Sequence, residues 1–384
     1  MFQALYNSLS GLFSFSRSLN TVSNNVANMN TPGFRGSDTF FENVSGGRGS
    51  RIAGEGLRTG AGDLRQTGTP TDLAINGTGY FVLRDASGNL YYTRAGQFRF
   101  NEEGLLSDAV TGYQVMAIDS AGNLSAIDID TYRTLPPQAT TSVNMVGNIA
   151  PGSPTATVGG VRIYDPSGSM HTLSAVLTDN TANIPGTNLV EVTDEPGAVV
   201  GTGEVTFDVN GTPLADHNTI ALNLNYQGNA QTLTLNFGSP GAFSGATRLT
   251  GIATNLGSQV VDGHPLLGVT SLSFDDQGVL QIVYSSSEKR QGPRIALASF
   301  PNESGLELIG GRLIAGTSVP QRELGRPGEG VFGKIAGGSL ELANVDLTQE
   351  FADMIIIQRG YQASSRVMTV SNQMIEELYN STRG

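Results

Sequence analysis

The chain contains no cysteine and no tryptophan among its 384 residues, and only 15% of its residues are charged. Without cysteine it can form neither disulfide bonds nor thiolate metal sites, and it has no cysteine nucleophile. The charged fraction lies well below the roughly 25% of an average globular protein. Glycine is plentiful instead, at 50 residues, which is typical of a chain with many tight turns.

Basic residues are also few, because 22 Lys and Arg stand against 34 Asp and Glu, which gives a net charge of −12. Such an acidic chain does not favour nucleic acid as a partner. No run of 18 apolar residues occurs, so the sequence predicts no membrane insertion. The first basic residue is Arg17, and polar residues interrupt the segment before it, so no cleaved secretory signal peptide is expected.

Catalytic motifs are equally scarce. The three histidines, His171, His217 and His264, lie far apart and lack a metal-ligand spacing such as HExxH. The paired carboxylates at 128–130 and 275–276 fall in turns and have no convergent partners. There is no nucleophile elbow and no glycine loop for a phosphate. The sequence therefore predicts no catalytic residue, no cofactor site and no metal site, which argues against an enzyme.

Both ends of the chain carry long amphipathic patterns without proline. From Phe2 to Asn28, and again from Val345 to Tyr379, residues of one face recur at alternating steps of four and three. Asp346, with a glutamine three residues later, predicts the N-cap of the second helix. A spacing of 3.5 residues is typical of coiled-coil helices with an apolar seam. The predicted seam residues are Leu5, Leu9, Leu12, Leu19, Val26, Leu347, Phe351, Met354, Ile356, Tyr361, Val367, Met368 and Ile375.

Two interpretations of these helices are open. They could close a single globular domain on itself, or each molecule could present them to its neighbours. The second is favoured because the C-terminal pattern has two apolar stripes, and one partner helix cannot cover both of them.

The middle of the chain has the composition of β-structure. Short β-branched and aromatic runs, such as Tyr80–Leu83 and Val279–Tyr284, alternate with Asp-x-x-Gly units, which predict hairpin turns rather than calcium loops. The fold class predicted is multidomain, with terminal coiled-coil helices and nested all-β domains of sandwich or barrel type. The predicted parts are terminal helices at 1–30 and 345–384, glycine-rich linkers at 31–71 and 316–344, an inner β domain at 72–145 and 269–315, and an outer β domain at 146–268.

Several runs resemble a known family, the flagellar rod and hook proteins. NNVANMNTPGF, which begins at Asn24, is similar to the N-terminal signature of that family, and NVDLTQEFADMIIIQRGYQASSRVM, which begins at Asn344, is similar to its C-terminal signature. DLAINGTGYFVL, which begins at Asp72, resembles a segment shared by the hook and distal rod members. The signature positions are Asn24, Asn25, Asn28, Asn30, Thr31, Gly33, Phe34, Asn344, Asp346, Gln358, Arg359, Tyr361 and Gln362.

The resemblance implies a structural subunit of the bacterial flagellar hook, polymerised into a curved tube outside the cell that passes torque from rod to filament. It further implies export by the flagellar type III apparatus, and as partners the chain itself, the distal rod protein, the hook cap protein and the hook-filament junction protein. Two alternatives are a distal rod protein, against which the extra β sequence at 146–268 argues, and a secreted β-rich adhesin. An adhesin would not need paired heptads at its two ends.

Overall fold

The structure is a computed structural model that describes residues 2–44, 49–301, 303, 306, 308–315 and 322–382. A long helix lies at each end: α1 spans Phe2–Ala27 and α2 spans Leu347–Thr382. The two predicted terminal helices are thereby confirmed. The contacts divide the chain into two compact units, unit 1 with residues 1–133 and 270–384, and unit 2 with residues 134–269. No helix within the described ranges is long and apolar enough to cross a membrane.

The remaining elements are almost all strands. Between α1 and residue 133 they are β1 Ser37–Asn43, β2 Ser50–Leu57, β3 Leu64–Gln66, β4 Leu73–Asn76, β5 Tyr80–Arg84, β6 Leu90–Thr93, β7 Phe98–Phe100, β8 Leu106–Asp108, β9 Gln114–Ile118, β10 Leu124–Ala126 and a short 3-10 helix, Asp130–Tyr132. In unit 2 they are β11 Thr134–Leu135, β12 Ser142–Asn148, β13 Thr155–Tyr164, β14 Met170–Asp179, β15 Thr187–Thr193, β16 Val199–Thr206, β17 Thr219–Tyr226, β18 Asn229–Asn236, β19 Ala246–Thr247, β20 Gly257–Val260 and β21 Leu267–Gly268. From residue 270 to α2 they are β22 Ser271–Phe274, β23 Val279–Val283, β24 Lys289–Arg294, β25 Leu297–Ser299, β26 Leu308–Ile309, β27 Leu313–Ala315, β28 Glu323–Gly325, β29 Lys334–Gly337 and β30 Ser339–Glu341.

The largest sheet of unit 1 is antiparallel and draws strands from both sides of unit 2 in the sequence. Its main path runs β26-β27-β6-β5-β9-β8-β7, and β25 joins it by pairing Leu297 with Phe81 of β5. Its core is aromatic: Tyr92 is fully buried and packs edge-on against Phe300, with ring centroids 5.0 Å apart. Segments before and after the inserted residues therefore complete one sheet.

Unit 2 contains two sheets that share one core. The first, β13-β14-β15-β16, is antiparallel, and the second is built around β18 and β12, which run parallel. Alternation of buried and exposed residues along β17 places Ile220, Leu222 and Leu224 in this core together with Val190 of β15. The architecture is a sandwich, one of the two types predicted. The chain enters and leaves unit 2 by adjacent strands, since β11 pairs with β21.

Asp-x-x-Gly turns close many of the hairpins. At Asp85, the carboxylate accepts the backbone N–H groups of Ser87 at 2.9 Å and Asn89 at 2.8 Å, and Gly88 has a φ of 89°. A positive φ suits glycine, which has no Cβ to collide with the backbone. The predicted turn chemistry is confirmed, and it recurs at Asp119, Asp165, Asp208 and Asp275.

The two stretches predicted as irregular linkers contain regular structure. Within 31–71, β1 pairs antiparallel with β2, and β3 pairs with β30 of the second stretch. In the second stretch, β29 pairs with β4. Glycine content alone suggested a linker because the partner strands lie far apart in the sequence. Residues 45–48 and 316–321 of these stretches, like residues 1 and 383–384 of the predicted helices, lie outside the described residues.

A second difference concerns residues 134–145, predicted for the inner β domain. The structure assigns them to unit 2, because β11 pairs with β21 and β12 pairs with β18, β19 and β20. The proline-containing run at 135–141 lies just inside this unit.

Candidate assembly interface

The two terminal helices run antiparallel and meet through small side chains. Gly11 of α1 lies against Ser364 of α2, and Gly360 lies so close to Phe15 that a Cβ there would come within 2.6 Å of its ring. Glycine permits this approach because it has no side chain. The buried faces consist of Ser8, Gly11, Ser14, Ser18, Thr21, Val22 and Asn25 on α1, and of Glu350, Ile357 and Ser371 on α2.

Of the predicted apolar seam residues, five are exposed and eight are half-buried. On α1, Leu9 is 37% exposed, whereas the half-buried seam residues are Leu5, Leu12, Leu19 and Val26. On α2, the exposed ones are Phe351, Ile356, Tyr361 and Val367, and the half-buried ones are Leu347, Met354, Met368 and Ile375. Ile356 is the most open of them, at 66% exposure. The fold of the single chain therefore leaves every one of these seam residues partly or fully open, and the use of the seams between molecules stays a prediction.

Aromatic residues on α1 enlarge this open surface. Phe2, Tyr6 and Phe13 are 81%, 56% and 69% exposed. Successive residues of a helix are rotated by 100° about its axis, which places these aromatic residues to one side of the row of leucines, next to Leu9. The search for residues at alternating steps of four and three therefore did not include them. No charged residue precedes Arg17, and this absence could have indicated that the apolar surface of α1 is wider than the row of leucines.

The β1–β2 ribbon packs on a third side of α1. Ser14 Oγ donates to the Ser50 carbonyl at 3.1 Å, and Thr39 Oγ1 donates to Thr21 Oγ1 at 3.1 Å. Phe15 lies 6.3 Å from Phe41, measured between ring centroids. With α2 on one side and the ribbon on another, α1 is held in place, while Leu9 stays exposed and the other predicted seam residues of α1 stay half-buried.

The asparagines of the N-terminal signature end α1 and turn the chain. Asn28 Nδ2 donates to the Asn24 carbonyl at 3.0 Å, and Thr31 Oγ1 donates to Asn28 Oδ1 at 3.2 Å. The Thr31 N–H also donates to the Asn28 carbonyl, at 2.9 Å. These side chains satisfy backbone groups that a helix end leaves without partners. Asn30 is exposed.

The Gly33-Phe34 pair anchors this turn to the β-structure. Gly33 has a φ of 69°, and a Cβ there would collide with the backbone of Arg94 and Ala95. Its N–H donates to the Glu341 carbonyl at 2.8 Å. Phe34 is 1% exposed. Glycine is required here both for its backbone angle and for the close approach.

Glu350 forms the first buried ionic contact of this region, which we call the junction (residues 24–38, 58–62 and 341–350). Its carboxylate is fully buried and binds Arg58 Nη1 at 2.6 Å, and Asn25 Nδ2 donates to it at 3.2 Å. Asn25 also exchanges two hydrogen bonds with the backbone of Ser37, at 2.9 and 3.0 Å. Burial acts to lower the pKa of Arg58, but hydrogen bonds to Asp38 and Glu350 outweigh it and raise the pKa above its ordinary value. One contact thus ties α1, α2 and the ribbon together.

Asn344 and Asp346 of the C-terminal signature prepare the start of α2. Asn344 Oδ1 accepts the Gly36 N–H at 2.7 Å, and its Nδ2 donates to the Arg58 carbonyl at 3.0 Å. Asp346 Oδ1 accepts the Thr348 N–H at 2.8 Å. The predicted N-cap is therefore confirmed.

A second buried ionic contact centres on Glu341. Arg94 Nε binds its Oε2 at 2.7 Å, and Arg35 Nη2 lies 3.2 Å from its Oε1, with all three side chains at most 5% exposed. Burial lowers the pKa of the Arg35 guanidinium more than the attraction of Glu341 raises it. Beside Arg94, burial and Glu303 together raise the pKa of Tyr80 to about 12. The carboxylate thus holds the end of the N-terminal signature to the large sheet.

The structure therefore separates the signature positions into two groups. Most lie in the junction, whereas Gln358, Arg359, Tyr361 and Gln362 are exposed on α2. Sequence reasoning missed the residues that connect the junction, Arg35, Arg58, Arg94, Glu341 and Glu350. The available signal was the position of Arg35, Glu341 and Glu350 in or beside the signature runs, in a chain poor in charge, whereas Arg58 and Arg94 offered no such signal. Among the described residues, no group of three or more His, Asp or Glu side chains is placed to hold a metal ion.

Three family models match this chain. The model of the flagella basal body rod protein matches residues 5–35, and the model of the flagellar basal body rod FlgEFG protein C-terminal region matches residues 336–381. Between them, the model of the flagellar hook protein FlgE/F/G D1 domain matches residues 74–150. The matches at the two ends cover most of both helices and the junction residues 24–35 and 341–350.

Curated relatives extend the similarity over nearly the whole chain. Flagellar hook protein FlgE of Borreliella burgdorferi is 27% identical, covering 98% of this chain and 99% of the relative. The proteins of the same name from Brucella suis and Escherichia coli K12 are each 28% identical, covering 98% of this chain and 98% and 99% of the relatives. The crystal structure of Helicobacter pylori flagellar hook protein FlgE2 is 16% identical with a TM-score of 0.49, covering 72% of this chain and all of that one, a likeness too weak to carry an argument. With rod models at both ends, a hook model between them and hook proteins aligned along its length, this chain is similar to the flagellar hook proteins over nearly all of its residues.

Proposed function

We propose that this protein is the structural subunit of a bacterial flagellar hook, which polymerises into a curved, flexible tube and transmits torque from rod to filament. Full-length similarity to hook proteins supports this, and the open apolar surface of both terminal helices is the observation that carries it. Leaving a large apolar side chain in water forgoes about 1.5–3 kcal/mol relative to burying it. A chain that functioned as a monomer would not gain from leaving so many exposed.

The terminal helices form the inner tube of the polymer, in coiled-coil contact with the helices of neighbouring molecules. The predicted seams supply these contacts, since glycine and serine make the closest approach within the chain's own helix pair and all the seam residues stay at least partly exposed. A surface that binds a different surface on the next molecule adds subunits without closing a ring, which suits a tube.

The junction transmits torque from the helices into the β-structure. Glu350 binds the ribbon and α1, and Glu341 binds the large sheet, so a twist applied to the helices acts on the sheet through buried ionic contacts. Buried charges that are paired and hydrogen-bonded resist separation, because losing one partner is costly. Flexibility then resides between molecules rather than in the stretches predicted as linkers.

The proposed function also implies where the protein is located and which proteins it contacts. It is located in the flagellum outside the cell, which it reaches through the flagellar type III export apparatus. Its partners besides itself are the distal rod protein, the hook cap protein and the hook-filament junction protein. The full-length hook relatives do not favour a distal rod protein or an adhesin.

Electron microscopy of the purified, polymerised chain tests the proposal. We expect curved tubes from the natural sequence and none from Leu12→Asp or Ile356→Asp, because a carboxylate buried in a helix seam without a partner costs several kcal/mol. Circular dichroism of the free chains should be unchanged, since Ile356 is 66% exposed before assembly. Gln373→Asp, an exposed change on another side of α2, serves as the control and should still form tubes. Normal tubes from both seam variants would refute the seam assignment, and the lack of tubes from the natural chain would refute the function.

A further inference from the structure

The C-terminal end of α2 extends beyond α1. Three contacts fix the register of the antiparallel pair: Asn25 with Glu350, Phe15 with Gly360, and Gly11 with Ser364. In two antiparallel helices, residues at the same level have numbers that add up to a constant, and these three pairs give the same sum. Gln373 and Phe2 also give that sum, so they lie at the same level along the axis. Residues 374–382, which we call the overhang, therefore project past Phe2 by about 13 Å at 1.5 Å per residue.

The overhang has an apolar ridge and an acidic flank. Met374 and Leu378, one turn apart, are 51% and 56% exposed. Glu376 and Glu377 are exposed on other sides of the helix. The carboxyl end of a helix also carries partial negative charge, which adds to that of the two glutamates. A short helical end of this kind is stable only when its apolar side is packed.

A groove lies at the opposite end of the helix pair, beside the junction. It has a volume of about 650 Å³ and runs between α1, β2 and the turn between β26 and β27. It is lined by Arg17 and Asn24 of α1, by Asn28 just after α1, and by Glu55 and Leu57 of β2. Arg17 lies 3.4 Å from Glu55 in a pair that is largely exposed, and such a pair contributes little by itself. The guanidinium retains donors for another carboxylate.

We propose that the overhang of one molecule docks into this groove of the next molecule along the helix direction. The ridge of Met374 and Leu378 packs on the leucines that line the groove, Leu57, Leu306 and Leu308. The glutamates meet Arg17 and the asparagine amides. The contact is heterologous, so every molecule offers one overhang and one groove, and the series of contacts continues along the polymer when the rotation between neighbours does not close a ring. This inference rests on the proposed polymer and specifies which parts of two molecules meet.

The geometry predicts the displacement between the two molecules. By the register of the helix pair, Leu378 and the middle of the groove are roughly 25 residues apart along the axis, or about 40 Å. Neighbours joined by this contact are therefore displaced by about 40 Å along their helices. The same distance means that residue 378 cannot reach residue 24 within one molecule, since disulfide formation requires Cα atoms within about 7 Å.

Because the natural chain has no cysteine, disulfide cross-linking tests the contact directly. Chains carrying only Asn24→Cys are mixed with tagged chains carrying only Leu378→Cys, each at a small fraction among natural chains, polymerised and oxidised with copper phenanthroline. Dilution into natural chains keeps the polymer intact even if a variant assembles poorly alone. We expect a heterodimer at the summed mass, at least tenfold more abundant than with Ser16→Cys in place of Asn24→Cys. Ser16 is exposed on α1, outside the groove, and serves as the matched control.

The outcomes separate this inference from the proposed function. Tubes without the heterodimer, or with equal amounts from the Ser16→Cys control, would overturn the docking contact and leave the hook function standing. If the natural chain forms no tubes, the hook function fails and the docking contact with it. A second measurement is the subunit displacement along the helix direction in images of the polymer. A value far from about 40 Å would also overturn the contact.

Discussion

The substitution Glu341→Gln removes the charge that two buried arginines share. Arg94 binds this carboxylate at 2.7 Å and Arg35 at 3.2 Å, and all three side chains are nearly inaccessible. Breaking a buried ion pair by removing one partner typically costs 3–5 kcal/mol, because a charge remains buried without compensation. Glutamine keeps the shape and can still accept the Gly62 N–H, and Arg94 retains the Ile75 and Gly77 carbonyls as acceptors. We therefore expect a loss near the lower limit, about 3 kcal/mol.

Thermal unfolding of the free chain measures this loss. For a cooperative unit of this size, a loss of 1 kcal/mol in the free energy of unfolding lowers Tm by about 2–4 °C. The Tm of unit 1 should therefore fall by roughly 6–12 °C. High salt should not reduce the difference, because buried charges are poorly screened. The matched control is Glu42→Gln, which breaks the exposed pair with Arg51 and should change Tm by less than about 2 °C. Equal shifts from the two variants, or no shift from Glu341→Gln, would refute the role assigned to the junction.

Two further predictions concern unit 2. Replacing residues 134–269 by a short Gly/Ser linker should leave unit 1 folded, because the chain enters and leaves unit 2 by paired strands. The variant should still form tubes, and micrographs should show that their curvature is altered. A folded deletion variant that forms no tubes would mean that unit 2 carries essential contacts. The pKa of Asp165 is about 2, since burial acts to raise it but hydrogen bonds from Ser167 and His171 prevail. This folded value lies below the ordinary 3.8, so the stability that the group adds is present above about pH 4 and lost as the pH falls toward 2. Acid titration of unfolding should show Asp165→Asn destabilised by roughly 1–2 kcal/mol at pH 7 and converging with the natural chain near pH 2.

Local sequence rules predicted much of the fold. The four-three steps located both helices, and the Asp-x-x-Gly units located the hairpin turns, because each depends on residues close together in the chain. Runs such as Tyr80–Leu83 coincide with strand β5 for the same reason. Asp346 was identified as an N-cap from its spacing alone.

The parts that escaped prediction depend on partners far apart in the sequence. β3 pairs with β30 across more than half the chain, and nothing in their glycine-rich surroundings reveals that pairing. The junction was missed for the same reason, since Arg58 and Glu350 become partners only once both helices are in place. The helix crossing was also hidden, because a search for apolar stripes ignores glycine and serine, and these form the buried face of α1.

The small residues at that crossing have a consequence for how the helices respond to dilution. Because Gly11, Gly360 and Ser364 form the contact within one molecule, little apolar area stabilises the helix pair before it meets other molecules. Most of the stabilisation then comes from association, which follows mass action and grows with the logarithm of subunit concentration. The helices should melt at a temperature that depends on protein concentration, whereas the sandwich of unit 2, with its own core, should melt at a fixed one. The ends of this chain thus behave thermodynamically as part of the assembly, and unit 2 behaves as an independent protein.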